Sequence, residues 1–231
     1  MKSQNDNAIS IIEGKDDMLF LRENINLAFS TTGFTGIQMD MFVVALTKVN
    51  LDPQEIKDNE VYPVEFQRSE IPRIDRTERL REELRGLNDI SIESNSESGW
   101  TRLRPFPEVG EYGEGDGKIQ IWFMGKYLKP ILELKKEEGW AIYLVAEMLR
   151  LSGKHPKKLF SIFSAYHNRN NYRDEFEIGY LKKILGIPDK YKHNPGLFMK
   201  KVIYPAVDQI NEKTSLQVKV AYRPKKGHNP G

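Results

Sequence analysis

Four histidines are available for chemistry, His155, His167, His193 and His228, and no two stand at the spacing of an HxH or HExxH metal site. A nickase would need such a histidine pair beside its tyrosine. Each histidine instead neighbours basic or turn residues and reads as a surface polar group rather than a ligand. The run GEGDGKI, residues 113–119, is the nearest approach to a phosphate loop. Its spacing is wrong, and Ile119 stands where the hydroxyl should be, so it reads as a turn. Glu82 and Glu83, and Glu137 and Glu138, belong to helical charge patterns and outline no site. The chain has no cysteine, which excludes disulfides, thiolate catalysis and cysteine-bound zinc and suits a reducing cytoplasm. The expectation is a protein without catalytic residues, metal or cofactor.

What the sequence does concentrate is positive charge. The net charge of the 231 residues is only +2. Residues 1–151, however, hold 19 Lys and Arg against 27 Asp and Glu, and residues 152–231 hold 16 against 6, a net of +10. A segment with that excess attracts polyanions through its summed field. Within it, NPGLFMKKVIYPAVDQINEKT sets Phe198, Val202, Ala206 and Ile210 at four-residue steps, with Met199, Ile203 and Val207 beside them. Those residues predict the packed face of a helix, which leaves Lys200, Lys201, Tyr204 and Asp208 facing out. Pro205 has no N–H for the carbonyl of Lys201, so a bend is expected there rather than two helices.

Lys190 and Lys192 precede this helix, Arg223, Lys225 and Lys226 follow it, and Lys157 and Lys158 open an earlier one. Together these positions predict a duplex-DNA surface. Lysines that reach only phosphate position a protein, whereas contacts to base edges specify sequence. An ordinary solvated lysine face, or a face for an acidic protein partner, would use the same residue types. A smaller row, Arg73, Arg76 and Arg79, lies among Glu78, Glu82 and Glu83, where internal ion pairing competes with an auxiliary DNA contact.

The elements that must position these residues follow from periodicity. Apolar residues make up 39% and charged residues 29%, which suits a soluble chain with a real core. The longest apolar run, MFVVAL, is too short to cross a bilayer, and the first residues lack the apolar core of a signal peptide. Residues 1–18 read as a polar leader. DMLFLRENINLAFS and GIQMDMFVVALTKV predict helices, and VYPVEFQ (61–67) a strand. IDRTERLREELRGLN predicts a helix with Asp75 and Glu78 in a capping-box pattern, a stripe of Leu80, Leu84 and Leu87, and Gly86 near its end. DISIES, WTRLRPF and GKIQIWF predict a three-strand ribbon, and KYLKPILELKK a short helix. Trp100, Trp122 and Trp140 are expected in cores or a domain interface.

In the second half HPKKLFSIFSAYHN predicts a helix, with Pro156 at its start. EFEI is a brief extended piece, GYLKKILGI a helix closed by Gly186, and SLQVKVAY a strand leading to a wing turn, RPKKG. Helices followed by a helix that runs into a β-hairpin are the order of a winged helix. The predicted architecture is α+β, with two tandem winged-helix domains over 19–150 and 151–231.

LRLSGKHPKKLFSIFSAYHN, then FEIGYLKKILGIPDKY, then LFMKKVIYPAVDQINEKTSLQVKVAYRPKKG resembles the second winged-helix domain of the replication initiator proteins of iteron-containing, theta-replicating bacterial plasmids. RLREELRGLNDISIE and GKIQIWFMGKYLKPILELKK agree with the first domain, so the resemblance covers roughly residues 20–227. It implies a C-terminal domain whose third helix enters the major groove of one part of an origin repeat. It implies an N-terminal domain that contacts an adjacent part and forms a dimer interface. Monomers would open the origin and dimers would repress their own gene, in the bacterial cytoplasm, with host replication proteins as further partners. A winged-helix repressor without an initiator role is the alternative. By position, Lys200 and Lys201 match the family's basic recognition-helix residues, and Lys225 and Lys226 its basic wing. The family's wing returns as a second strand, whereas this chain stops at HNPG, so SLQVKVAY is expected to be a poorly paired edge.

Overall fold

A computed structural model describes residues 8–12, 33–74, 76–96, 99–113, 117–138, 141–168, 173–187, 191 and 194–223. The chain forms two compact units, one of residues 33–149 and one that joins residues from 150 onward to an N-terminal strand. The expected helix in DMLFLRENINLAFS, residue Asp75 of the capping-box pattern and the wing turn RPKKG from Pro224 lie outside the described residues.

The first unit begins with α1 (Gly36–Lys48), buried on every side from Ile37 to Leu46. A helix buried all round belongs in a core, and its buried Gln38 and Asp40 are hydrogen-bonded. Its start is fixed by a capping box: Thr35 Oγ1 accepts from Gln38 N, and Thr35 N donates to Gln38 Oε1 at 2.9 Å. Strand β2 (Val61–Gln67) follows, then α2 (Thr77–Asn88), whose Leu80, Leu84 and Leu87 are buried as the stripe requires. Arg76 is the N-cap of α2 and makes no side-chain cap bond. Gly86 lies near the end of the helix, as expected, and the helix runs on to Asn88. Gln38 Nε2 donates to the carbonyl of Glu83 at 3.0 Å, and a Cβ at Gly86 would meet that nitrogen at 2.6 Å. Close approach of α1 to α2, not termination, is what glycine supplies there.

The expected three-strand ribbon is divided differently. Strands β3 (Ile92–Ser96) and β4 (Gly99–Leu103) form a two-stranded hairpin, with Ile92 opposite Leu103. The third predicted strand, β6 (Lys118–Met124), pairs instead with β2 and with β5 (Glu108–Tyr112) in an antiparallel sheet of order β2–β6–β5. The reason is alternation: Ile119, Ile121 and Phe123 are fully buried on one face, as are Val64 and Phe66 across from them. Helices α3 (Gly125–Glu138) and α4 (Ala141–Arg150) complete the first half. Phe34, Phe42, Phe106, Phe123 and Tyr127 form one aromatic cluster with centroids 5.2 to 6.3 Å apart, mostly edge-on or tilted.

The second unit orders α5 (Lys154–Asn168), β7 (Arg173–Glu177) and α6 (Ile178–Leu185). Gly186 ends α6 in the left-handed region at φ 57°, and its N–H returns to the carbonyls of Lys182 and Lys183. An unbroken helical path follows: α7 (Pro195–Phe198), a π-helical turn (Met199–Ile203) and α8 (Tyr204–Lys213). Strand β8 (Lys219–Arg223) comes last.

Its pairing differs from the expected lone edge. Residues 8–12, within the segment read as a polar leader, form strand β1 (Ala8–Ile12) between β7 and β8, parallel to both. Ile9, Ile11 and Ile12 carry the strand preference within an otherwise polar stretch. The β8 backbone therefore has a partner supplied by a segment distant in sequence.

Asn211 ties α8 to the approach of β8. Its Nδ2 donates to the carbonyl of Val218 at 2.9 Å, and its Oδ1 accepts from Val218 N at 2.7 Å. Removing both bonds strands two backbone groups of a buried residue. Asn211→Ala is expected to lower the unfolding free energy by about 1–3 kcal/mol in urea titrations; an unchanged midpoint would mean water replaces both bonds.

Candidate nucleic-acid interface

The helical path from Pro195 to Lys213 is anchored by its apolar rows. Phe198, Met199, Val202, Ile203, Ala206, Val207 and Ile210 are all buried. Each large side chain among them contributes about 1.5–3 kcal/mol by leaving water. Asn194 starts the path, its Oδ1 accepting from Leu197 N at 2.9 Å with Pro195 in the first turn. Lys182 of α6 lies over the Phe198 ring with Nζ 5.4 Å from its centroid, so the preceding helix grips the first turn.

Pro205 is accommodated by the π-helical turn. Tyr204 N–H donates to the carbonyl of Met199, five residues back, instead of to that of Lys200. Pro205 offers Lys201 no N–H at all. Two successive carbonyls thus lose their α-helical donors on the exposed side, where Lys200, Lys201, Tyr204 and Pro205 all face solvent. The widened turn keeps the buried set continuous through Ile210 while the lysine pair and Tyr204 stay outside.

The remaining predicted positions divide. Arg223 is exposed at the end of β8, and its guanidinium lies 3.3 Å from Glu175 Oε1 of β7, so part of its charge is answered locally. Lys190, Lys192, Lys225 and Lys226 lie outside the described residues.

Lys157 and Lys158 are corrections: both are fully buried, and neither can meet a phosphate. Their stems pack in the core, and Lys158 Nζ donates to the carbonyl of Ile184 at 3.1 Å. Lys154 Nζ reaches the carbonyl of Gly186 at 3.4 Å. Lysines of α5 thereby satisfy carbonyls at the C-terminus of α6, where the helix dipole also favours a cation. Sequence periodicity missed this because a lysine pair on a helix start looks the same whether it caps a neighbour or faces water.

In the first unit Arg73 is exposed but engaged in an internal ion pair, the competitor of an auxiliary DNA contact. Its guanidinium lies 3.0 Å from the wholly buried Asp40 of α1 and also donates to the carbonyl of Leu149 at 3.2 Å. Its backbone sits at φ 67°, a conformation a non-glycine residue adopts when its surroundings over-determine it. Arg76 and Arg79 are exposed, and Arg79 Nη1 donates to the carbonyl of Arg73 at 3.4 Å. Arg68 and Arg81 converge on Glu111, at 3.6 and 3.3 Å. Trp122 is half-buried, with Nε1 bonded to Gln120. Lys183 of α6 and Leu197 on the first turn of the candidate recognition helix are exposed as well. The apolar rows that mark the buried face pass over Leu197, and that omission was its only sequence signal.

Among the described residues no group of His, Asp and Glu could hold a metal ion, and no helix is long and apolar enough to cross a membrane. Comparison with family models gives two matches: the WH1 domain of the initiator replication proteins over residues 22–164, and the WH2 domain of the initiator Rep proteins over residues 177–229. The chain belongs to the initiator replication protein family. The α+β architecture of two tandem winged helices is that of the family, which initiates plasmid replication by binding DNA and is not a conventional enzyme family. No curated protein matches the chain.

The buried cations give the second unit a pH signature. Burial, with the charge of Lys154, pushes Lys158 down to about 7. Burial, followed by the charges of Lys154 and Lys158, pushes His155 down to about 4; its Nδ1 is buried and has no hydrogen-bond partner among the described residues. From pH about 7 to the ordinary lysine value of 10.5 the unfolded chain binds a proton at Lys158 that the folded chain does not. Stability therefore rises with pH across that window, and His155 adds a rise between about 4 and 6.5. Urea unfolding at pH 7 and pH 10 should show a smaller rise for Lys158→Met than for the native chain. Equal rises in both proteins would show that Lys158 stays charged in the fold.

Proposed function

We propose that the chain binds duplex DNA in a sequence-specific way at the repeats of a plasmid origin, the iterons, and thereby initiates replication. The C-terminal winged helix carries the main contact, with Lys200, Lys201 and Tyr204 as its groove-facing residues. The observation that carries this reading is the division of one helix. Its apolar rows are buried, and the lysine pair and Tyr204 are exposed together on the opposite side. A recognition helix needs that division, since the buried face fixes the orientation in which the outer face meets base edges. Arg223 flanks it from β8, and Lys190, Lys192, Lys225 and Lys226 extend the positive charge in the sequence on both sides.

The N-terminal winged helix serves as the dimer interface and adds a secondary DNA contact through Arg76 and Arg79, both exposed. Monomers act at the origin and dimers repress the protein's own gene, in the bacterial cytoplasm and alongside host replication proteins. The net of −8 over residues 1–151 supports this division of labour, because an acidic half does not lie along a phosphate backbone by charge alone.

Fluorescence anisotropy with a duplex carrying the repeats beside the protein's gene, against a scrambled competitor, tests the central claim. A preference of about 10³–10⁷ is expected of a specific reader. Changing both Lys200 and Lys201 to alanine should cost about 1–3 kcal/mol of that binding if a base edge is reached; if both touch only phosphate, the loss should be uniform across sequences and the salt slope shallower. Unchanged affinity would remove these residues from the interface. Light scattering across a dilution series should show a monomer–dimer equilibrium for the full chain; a strict monomer at the highest concentration would refute the dimer.

A further inference from the structure

Among the described residues of the second unit, Leu197 and Tyr204 are the two exposed large apolar side chains, 37% and 41% open to solvent. Both belong to the helical path assigned above to the groove, and Leu197 stands on its first turn. A tyrosine has a hydroxyl to keep it wet, but a leucine there has only water to lose. Its position is also held firmly. Leu197 N donates to Asn194 Oδ1 at 2.9 Å, and the next residue, Phe198, is fully buried under the Lys182 ammonium.

Recognition helices meet base edges with their N-terminal residues. On the floor of the major groove one group is apolar, the 5-methyl of thymine, and aliphatic side chains read it by contact. Lys200 and Lys201 follow Leu197 within the next turn of the same helical path, and all three are exposed. They bring the positive charge that draws this turn against a duplex rather than against an apolar partner. We propose that Leu197 is a specificity-determining residue that contacts the 5-methyl group of a thymine in the recognised repeat. This rests on the DNA-reading assignment of the same helix and names the base feature that the helix reads.

The test replaces each thymine of the repeat in turn by deoxyuridine, which keeps the pairing and removes only the methyl. Binding of the full chain and of Leu197→Ala is followed by anisotropy. Burial of one methyl corresponds to about a four-fold affinity change. The native chain should lose about that factor at one or two thymines and be indifferent elsewhere. Leu197→Ala, an exposed change expected to leave the melting temperature unaltered, should bind the thymine duplex more weakly and no longer distinguish it from the deoxyuridine duplex at those positions. A native chain that prefers the repeat over scrambled DNA yet ignores every deoxyuridine overturns the methyl contact alone. So does a Leu197→Ala protein with undiminished discrimination. No preference for the repeat at all overturns the DNA-reading assignment and the methyl contact with it.

Discussion

Pro205 has no N–H, yet the helix that contains it must keep one side in the core through Ile210. The second unit resolves that conflict with a widened turn. Tyr204 N–H reaches back to Met199, the extra residue is absorbed between Met199 and Ile203, and Val202, Ile203, Ala206 and Val207 all remain buried. Without that adjustment the missing bond at Lys201 would break the helix or rotate its second half. A rotation would bring Lys200, Lys201 or Tyr204 toward the core, at the cost of desolvating polar groups. The exposed basic face therefore exists because the apolar face is held on both sides of the proline.

The lysines of α5 show the same logic inverted. Lys154 and Lys158 belong to the most basic part of the chain, but their ammonium groups end on carbonyls at the close of α6. A cation there answers both the orphan carbonyls and the helix dipole, which offsets part of the desolvation. The positive excess of residues 152–231 is accordingly two populations. One group ties α5 to carbonyls at the close of α6; among the described residues Lys183, Lys200, Lys201 and Arg223 are exposed.

The first unit depends on comparable cross-ties. Gln38 both caps α1 and donates to the α2 backbone, and a Cβ at position 86 would force its amide to shift. Asp40, buried on α1, pairs with the Arg73 guanidinium, and the Arg73 backbone lies at positive φ. These contacts fix α1 against α2, the helix that precedes the β3–β4 hairpin, and they answer part of the Arg73 charge locally.

Local pattern was enough for much of this protein. Strand β2 matches VYPVEFQ residue for residue, the Leu80–Leu84–Leu87 stripe is buried, Gly186 ends α6 in the left-handed region, and the rows from Phe198 to Ile210 identify the inner face of the candidate recognition helix. Periods of two and of 3.6 residues record which side of an element is dry, and they need no knowledge of the partner. Partnership itself was not legible. Which strand lies beside β6, that residues 8–12 separate β7 from β8, and that Lys158 ends on the Ile184 carbonyl are pairings between segments far apart in the chain. The amino-acid sequence determined the faces and the sign of their charge. The tertiary structure decided which of those charges reach solvent, because a lysine's role depends on whether a buried carbonyl stands within about 3 Å of its nitrogen.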